Sequence, residues 1–155
     1  MLNNSGKDFM FSVSPVKREE LSAIAELERL CFAEPWSEES LALLLKDKAT
    51  GFVATEANGK LIGYVGLISV LDEGQITNIA THPDYRRKGI GKALMERIFE
   101  YCRDRGIYYL SLEVRDSNKS AIALYEGFGF KTVGIRKNFY RFPVEDARVM
   151  TAELN

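Results

Sequence analysis

The sequence predicts a mixed α/β (α+β) domain with a mostly antiparallel central sheet of about seven strands, covered by about four helices. Three observations support this fold class. The chain has 155 residues, which suits one hydrophobic core. Segments with strand-like and helix-like hydrophobic periods alternate in the order β-α-α-β-β-β-α-β-α-β-β. The early strands follow one another directly, which favours antiparallel pairing, and the later helix crossovers make the sheet mixed.

The N-terminal third contains one strand and two helices. Residues 1–8 are polar and predict a loose tail, so residues 9–155 form the expected domain. Apolar residues alternate over 9–16 as in a strand, and residues 17–32 carry a largely apolar helical face that includes Leu30 and one acid, Glu28. Ser37 is the predicted N-cap of the second helix, because two glutamates follow it in the first turn.

Three strands come next. Residues 51–70 are two β-rich runs on either side of Asn58-Gly59, which predicts a hairpin. Residues 74–82 continue the sheet.

The C-terminal half alternates helices and strands. A helix follows the cationic stretch after residue 82 and ends at Gly106. Residues 107–114 predict a strand and 117–128 a short helix, and the last two strands are expected at 130–135 and 147–154.

Composition limits the classes of function. The formal net charge is −1, whereas a protein that binds nucleic-acid backbones usually has a clear cationic excess. The two cysteines are far apart and there is one histidine, so we expect no metal site. No signal-like or membrane-spanning run is present, and we expect a cytoplasmic monomer or weak homodimer without a nucleic-acid or membrane partner.

The densest cationic cluster lies in the stretch PDYRRKGIGKAL, residues 83–94, between a strand and a helix. Its glycines allow close approach to the backbone, and the free N–H groups of a helix start favour an anion. The spacing matches neither a P-loop nor a dinucleotide fingerprint, since no Ser or Thr follows Lys92 and Leu94 stands at the third glycine position. A solvated turn is the alternative interpretation.

In its setting of strand, loop and amphipathic helix, the stretch resembles the coenzyme signature [QR]-x-x-G-x-[GA] of the GNAT superfamily of N-acetyltransferases, through Arg86, Gly89 and Gly91. The resemblance implies acetyl-CoA as co-substrate, with its pyrophosphate on the loop amides and its pantetheine arm on a bulged strand near Asn78. The residues that it implies for coenzyme binding are Ile79, Ala80, Arg86, Arg87, Lys88, Gly89, Ile90, Gly91, Lys92, Asn118 and Tyr125.

Two residues of the C-terminal half are candidates for acid–base chemistry. Glu113 is the acid in an otherwise apolar strand, although alternation also allows it simply to face solvent. Tyr125 lies on an apolar helical face, where core packing is the alternative role. A Cys–His acyltransferase is disfavoured, because His82 is the one histidine and directly precedes a proline.

The pattern LEVRxSNxxAxxLYExxGF over residues 112–130 resembles the GNAT branch that acetylates ribosomal-protein alanines, the RimI type. The resemblance implies that Glu113 is the general base, that Tyr125 is the general acid for the coenzyme thiol, and that Asn118 contacts the pantetheine region. Asn118 is also a candidate helix N-cap, and both roles are compatible.

The same branch has a PWS stretch and a NYY…EDA stretch, which correspond here to residues 35–37 and to residues 138–140 with 145–147. They imply that Trp36, Tyr140 and Glu145 bind the acceptor peptide, with Glu34 or Glu145 attracting its amino end. For Trp36 the favoured alternative is a hydrophobic plug between two helices. Phe139, in place of the usual tyrosine, leaves the acceptor less defined than the coenzyme.

Three functions therefore stay open. The leading hypothesis is an Nα-acetyltransferase acting on a protein N-terminus, most simply an alanine of a small-subunit ribosomal protein. The alternatives are a GNAT enzyme for a free amino acid or polyamine, and an acyl-CoA-binding regulatory module without catalysis.

Overall fold

The computed structural model of the protein describes residues 2–4 and 9–154, and the strands within them form one eight-stranded sheet in the order β1-β2-β3-β4-β5-β6-β8-β7. The strands are β1 Leu2–Asn4, β2 Met10–Pro15, β3 Ala49–Glu56, β4 Leu61–Val70, β5 Glu73–Thr81, β6 Tyr109–Arg115, β7 Lys131–Arg141 and β8 Val144–Glu153. All neighbours are antiparallel except β5 and β6, which confirms the predicted mixed, mostly antiparallel sheet.

Within the described residues, four α-helices cover the sheet: α1 Leu21–Cys31, α2 Glu38–Leu41, α3 Ile90–Arg105 and α4 Lys119–Gly127. The predicted ends of these helices are largely confirmed. The Ser37 hydroxyl caps α2 by accepting from the Ser40 N–H, and Gly106 ends α3 with a left-handed φ of 70°. After α2 the α-helical hydrogen bonding changes to a 3-10 helix over Ala42–Leu45, so the second α-helix is shorter than expected.

The helices form two layers, one on each face of the sheet. On one face, α3 and α4 pack against a large apolar cluster that includes Val65, Leu110, Leu112 and Met150. On the other face, α1 and α2 pack against a smaller cluster around Val53 and Tyr64. Among the described helices, none combines the length and the apolarity needed to span a membrane.

The chain differs from the prediction at both ends. Leu2–Asn4, expected within a loose tail, pair with Met10–Ser12, while residues 1 and 5–8 lie outside the described residues. The last two strands are longer than the predicted 130–135 and 147–154 and form a continuous hairpin. A register shift between Arg136 and Tyr140 interrupts the period-two alternation, which explains why these strand extensions were missed. Leu30, expected on the buried face of α1, is exposed.

Candidate functional site

A gap between β5 and β6 organises the candidate site. The two parallel strands pair at three positions, Glu73 to Gln75 with Tyr109 to Ser111, and diverge beyond them. From Ile76 onward, the edge of β5 that faces β6 has no strand partner among the described residues. An unpaired strand edge offers N–H and C=O groups to an extended ligand. The gap therefore suits a chain-like molecule that carries amides.

The predicted strand bulge lies at the start of this open edge. Gly66 of β4 pairs with Asn78, whereas Leu67 pairs with Ile76, so Thr77 is the extra residue. The bulge comes directly before Ile79 and Ala80, the two strand residues expected to bind the coenzyme. Ala80 is buried, and Ile79 is half-buried.

The cationic loop follows β5 through a 3-10 turn at Pro83–Tyr85, so it begins at the end of β5 that no longer pairs with β6. Arg87 and Gly89 both have left-handed φ angles, 64° and 78°, and α3 starts directly after Gly89. The first N–H groups of a helix have no partner within that helix. A Cβ placed on Gly91 would lie 3.2 Å from the Leu124 side chain, so α4 packs closely against this helix start.

The four cations of the loop differ in their surroundings. The Arg86 guanidinium lies close to the Cys31 thiol, and its charge opposes the rise in thiol pKa that burial causes. The Lys88 ammonium lies 5.0 Å from the centre of the Phe9 ring. Arg87 and Lys92 are exposed, which leaves them accessible to an anion at the helix start.

Glu113 and Tyr125 lie on opposite faces of the sheet. Leu112 and Val114 of β6 point into the cluster under α3 and α4, so Glu113 between them points to the face of α1 and α2. Tyr125 belongs to α4 and is 5% exposed within that same cluster, packed against Phe130. Burial raises the pKa of the Tyr125 hydroxyl well above its usual range, so this group keeps its proton at neutral pH.

Tyr140 is an electrostatic neighbour of both of these groups. Burial raises its pKa to about 12, the nearby Glu113 carboxylate adds to the rise, and the Arg115 guanidinium 4.3 Å from its ring centre opposes it. Tyr140 in turn adds to the raised pKa of Tyr125. Tyr140 of β7 thus lies within electrostatic range of both Glu113 of β6 and Tyr125 of α4.

Glu145, predicted to bind the acceptor peptide, is already paired with other groups of the protein. Its carboxylate accepts hydrogen bonds from Arg115 at 3.2 Å and from the Ser117 N–H at 2.6 Å, and these donors lower its pKa. Arg115 also donates to the carbonyls of Phe142 and Pro143 at 3.0 Å. This network ties the end of β6 to the β7–β8 hairpin, and the acceptor role of Glu145 stays a prediction.

Asn118 serves as the N-cap of α4, as expected. Its side-chain oxygen accepts from the Ala121 N–H at 3.2 Å and from the Ser120 hydroxyl at 3.3 Å. This position lies just beyond the end of β6, at the same end of the two parallel strands as the cationic loop that follows β5.

The sequence analysis missed the role of Glu28, the one buried charged residue among those described, with 0% exposure. Its carboxylate accepts from the Trp36 N–H at 2.9 Å, from the Asn78 amide at 2.7 Å and from the Tyr64 hydroxyl. Burial raises the pKa of Glu28, and these three hydrogen bonds oppose the rise. An acid on the apolar face of the predicted first helix was the signal that could have identified it.

Trp36 itself is half-buried against the apolar cluster of α1 and α2, in keeping with the predicted plug. The backbone N–H of Trp36 donates to Glu28, which also accepts from Tyr64 of β4 and Asn78 of β5. The connection between α1 and α2 is therefore held to these two strands.

Arg136 is a second residue that the sequence analysis missed. Its guanidinium is 2.7 Å from the Glu113 carboxylate, and both residues line a cleft of about 220 Å³ with Gln75, Ser111, Leu112 and Val149. No sequence signal marked this pair, because 22 residues, including helix α4, lie between Glu113 and Arg136 in the chain.

Comparison with known proteins identifies the family. The model described as "Acetyltransferase (GNAT) family" matches residues 21–130, more than half of the chain. The chain belongs to the GNAT family. It is therefore an N-acetyltransferase, and its mixed, mostly antiparallel sheet covered by helices is the fold expected from the sequence.

Individual relatives agree with this assignment. The chain is 40% identical over 139 residues to the [ribosomal protein bS18]-alanine N-acetyltransferase of Escherichia coli, a match that covers 90% of this chain and 92% of the relative. The crystal structure of that Escherichia coli enzyme superimposes with a TM-score of 0.87 at 38% identity, covering 94% and 95% of the two chains. Arabidopsis thaliana NAA60 in complex with acetyl-CoA, at 20% identity and a TM-score of 0.84, shares the fold over 94% of this chain and 99% of its own.

Proposed function

We propose that this enzyme transfers an acetyl group from acetyl-CoA to the N-terminal amine of a protein, and that the acceptor is the N-terminal alanine of ribosomal protein bS18. The observation that carries the proposal is the β5–β6 gap, which has Glu113 on one face of the sheet and Tyr125 in the layer on the other. The 40% identity to an enzyme named for this reaction supports the acceptor.

The residues at the gap fit the coenzyme. The N–H groups that begin α3, after the left-handed Gly89, suit a pyrophosphate, and the exposed Arg87 and Lys92 add positive charge. The open edge of β5 at Ile79 and Ala80 suits the amides of a pantetheine arm, and Asn118 lies across the gap. When bound there, acetyl-CoA supplies an activated acetyl thioester.

Glu113 and Tyr125 then have complementary roles. Glu113 takes a proton from the acceptor amine, directly or through a water, so that the nitrogen can form its bond to the acetyl carbon. As the bond from that carbon to sulfur breaks, the Tyr125 hydroxyl gives its proton to the sulfur. The nitrogen, positively charged after its attack, loses its second proton to water, so that a neutral amide and free coenzyme A thiol remain. Because burial raises the pKa of Tyr125, the hydroxyl keeps its proton until the thiolate forms. The same apolar surroundings disfavour a charged thiolate and so raise its proton affinity. Proton exchange with water restores both side chains.

An α-amine is the easier acceptor for this chemistry. Its usual pKa is about 8, against about 10.4 for a lysine side chain. Deprotonating lysine at equal geometry therefore costs roughly 3 kcal/mol more, at about 1.4 kcal/mol per pKa unit. We also infer a cytoplasmic location, in which Cys31 and Cys102 stay as the free thiols seen here.

The test is release of coenzyme A thiol from acetyl-CoA with three classes of acceptor: peptides with a free N-terminal Ala, Ser or Met, N-blocked peptides with an internal Lys, and free small amines. We expect release with the free N-terminal peptides alone, strongest with Ala. Turnover confined to small amines would overturn the protein acceptor, and binding of acetyl-CoA without turnover on any amine would instead support a regulatory module.

A further inference from the structure

The proposed base already has a cation bound to it. The Arg136 guanidinium lies 2.7 Å from the Glu113 carboxylate, and it is the one salt-bridge partner of Glu113 within residues 9–154. The Glu113 side chain is 20% exposed, whereas that of Arg136 is 60% exposed. The guanidinium therefore caps Glu113 from the solvent side, in the cleft of about 220 Å³ that both residues line.

Arg136 can leave this position at low cost. It lies on β7, the last strand of the sheet, directly before the register shift that ends at Tyr140. In the same position its guanidinium also lies 5.4 Å from the centre of the exposed Phe139 ring, so the Glu113 carboxylate is not its sole favourable contact. Ion pairs with this much solvent contact contribute about 0.2–1 kcal/mol, so a competing cation can displace the arginine.

We propose that Arg136 is a positioning residue that occupies the acceptor-ammonium position on Glu113 and yields it when a protonated acceptor amine arrives. This inference rests on the proposed function, because it takes Glu113 as the group that receives the amine. The exchange replaces one cation by another, so the partly buried carboxylate is never left without a partner. A neutral or anionic group does not replace the guanidinium, and the exchange therefore favours acceptors with a free amine.

The first test is the variant Arg136→Gln, which removes the competing charge. We expect the KM for a peptide with N-terminal Ala to fall about two- to fivefold, the range that the strength of such a pair allows. We expect the effect in the peptide KM rather than in kcat or in the KM for acetyl-CoA. Arg136→Lys, which keeps a cation, should stay closer to the parent KM.

Lys137→Gln is the matched control, because it removes one positive charge from the next, exposed residue of the same strand. We expect its peptide KM to equal that of the parent. An equal fall in KM for both variants would overturn the exchange in favour of a general charge effect. A rise or no change in KM for Arg136→Gln would also overturn it, with Arg136 then supporting only the hairpin.

A binding measurement separates this inference from the proposed function. By calorimetry in the presence of desulfo-coenzyme A, Arg136→Gln should tighten peptide binding in the parent but not in Glu113→Gln, since the competition requires the Glu113 charge. If Glu113→Gln kept full turnover, the proposed base would be wrong whatever Arg136 does. If Glu113→Gln lost turnover but Arg136→Gln tightened binding equally in both backgrounds, the exchange alone would be wrong.

Discussion

Glu113 and Tyr125, the proposed base and acid, have different environments because they lie on opposite faces of the sheet. Glu113 is partly solvated and ion-paired, which suits a group that exchanges protons with an incoming amine. Tyr125 is buried among apolar side chains, which suits a group that holds its proton until sulfur needs it.

The first residue-scale prediction concerns the base. Glu113→Gln keeps the shape of the side chain but removes its charge, so we expect kcat to fall by about 10²–10⁴ with acetyl-CoA binding nearly unchanged. Steady-state kinetics with the Ala peptide and calorimetry with acetyl-CoA measure the two effects. Full activity across neutral pH would show that another group accepts the proton.

The second concerns the acid. Tyr125→Phe removes the hydroxyl but keeps the ring that packs against Phe130, so we expect kcat to fall about 10²-fold while thermal stability stays close to the parent value. A thermal melt checks the packing, and single-turnover kinetics check the chemical step. If kcat is unchanged and only the melting temperature moves, Tyr125 is a core residue, as one interpretation of the sequence allowed.

At the scale of elements, the cationic loop and the start of α3 form the proposed anion site. Two glycines flank α3, and both have left-handed φ angles: Gly89 at 78° and Gly106 at 70°. Of these two glycines, only Gly89 belongs to the proposed anion site. Substituting each glycine in turn therefore separates the effect of backbone strain on stability from the effect of the loop on ligand binding.

Gly89→Ala and Gly106→Ala should each lose about 1–2 kcal/mol of stability, because an L side chain is strained in this region. We expect Gly89→Ala alone to weaken acetyl-CoA binding, about tenfold or more, through displaced loop amides. Calorimetric Kd values and urea unfolding of both variants measure the difference. Equal Kd values for the two variants would remove the loop from the coenzyme site.

At the scale of the whole molecule, Glu28 joins parts that are distant in the sequence. It links α1 to Tyr64 of β4, to Asn78 beside the strand bulge, and to the Trp36 backbone between α1 and α2. This carboxylate therefore couples the connection between α1 and α2 to β4 and to β5, the strand that faces the gap.

Burial raises the pKa of Glu28 in the folded state above its usual value of 4.5, so the folded protein holds the proton more tightly than the unfolded chain. The resulting stabilisation is complete below the unfolded pKa and is lost as pH rises through the folded pKa. Relative to Glu28→Gln, the free energy of unfolding of the parent should fall by up to about 1.4 kcal/mol per pH unit in that window.

Urea unfolding of parent and variant from pH 4 to 8 measures this difference. Glu26→Gln, an exposed change on the same helix, is the control and should run parallel to the parent. A parent that gains stability over Glu28→Gln as pH rises would contradict the prediction.

The sequence by itself determined the order of the elements, the caps at Ser37, Gly106 and Asn118, and the alternation that separates Glu113 from its apolar neighbours. These features depend on local periodicity and on backbone preferences, which are determined by residues close together in the chain. The family followed from short motifs for the same reason, since the loop and the segment after β6 are each continuous in the chain.

Only the tertiary structure decided which side chains meet. The Arg136–Glu113 pair, the burial of Glu28 and the engagement of Glu145 by Arg115 join residues 23 to 50 positions apart, through a sheet whose strand order differs from chain order. No local pattern encodes such contacts, because they depend on where β5 and β6 diverge and where β7 shifts register. That divergence is a property of the whole sheet, and the proposed site depends on it.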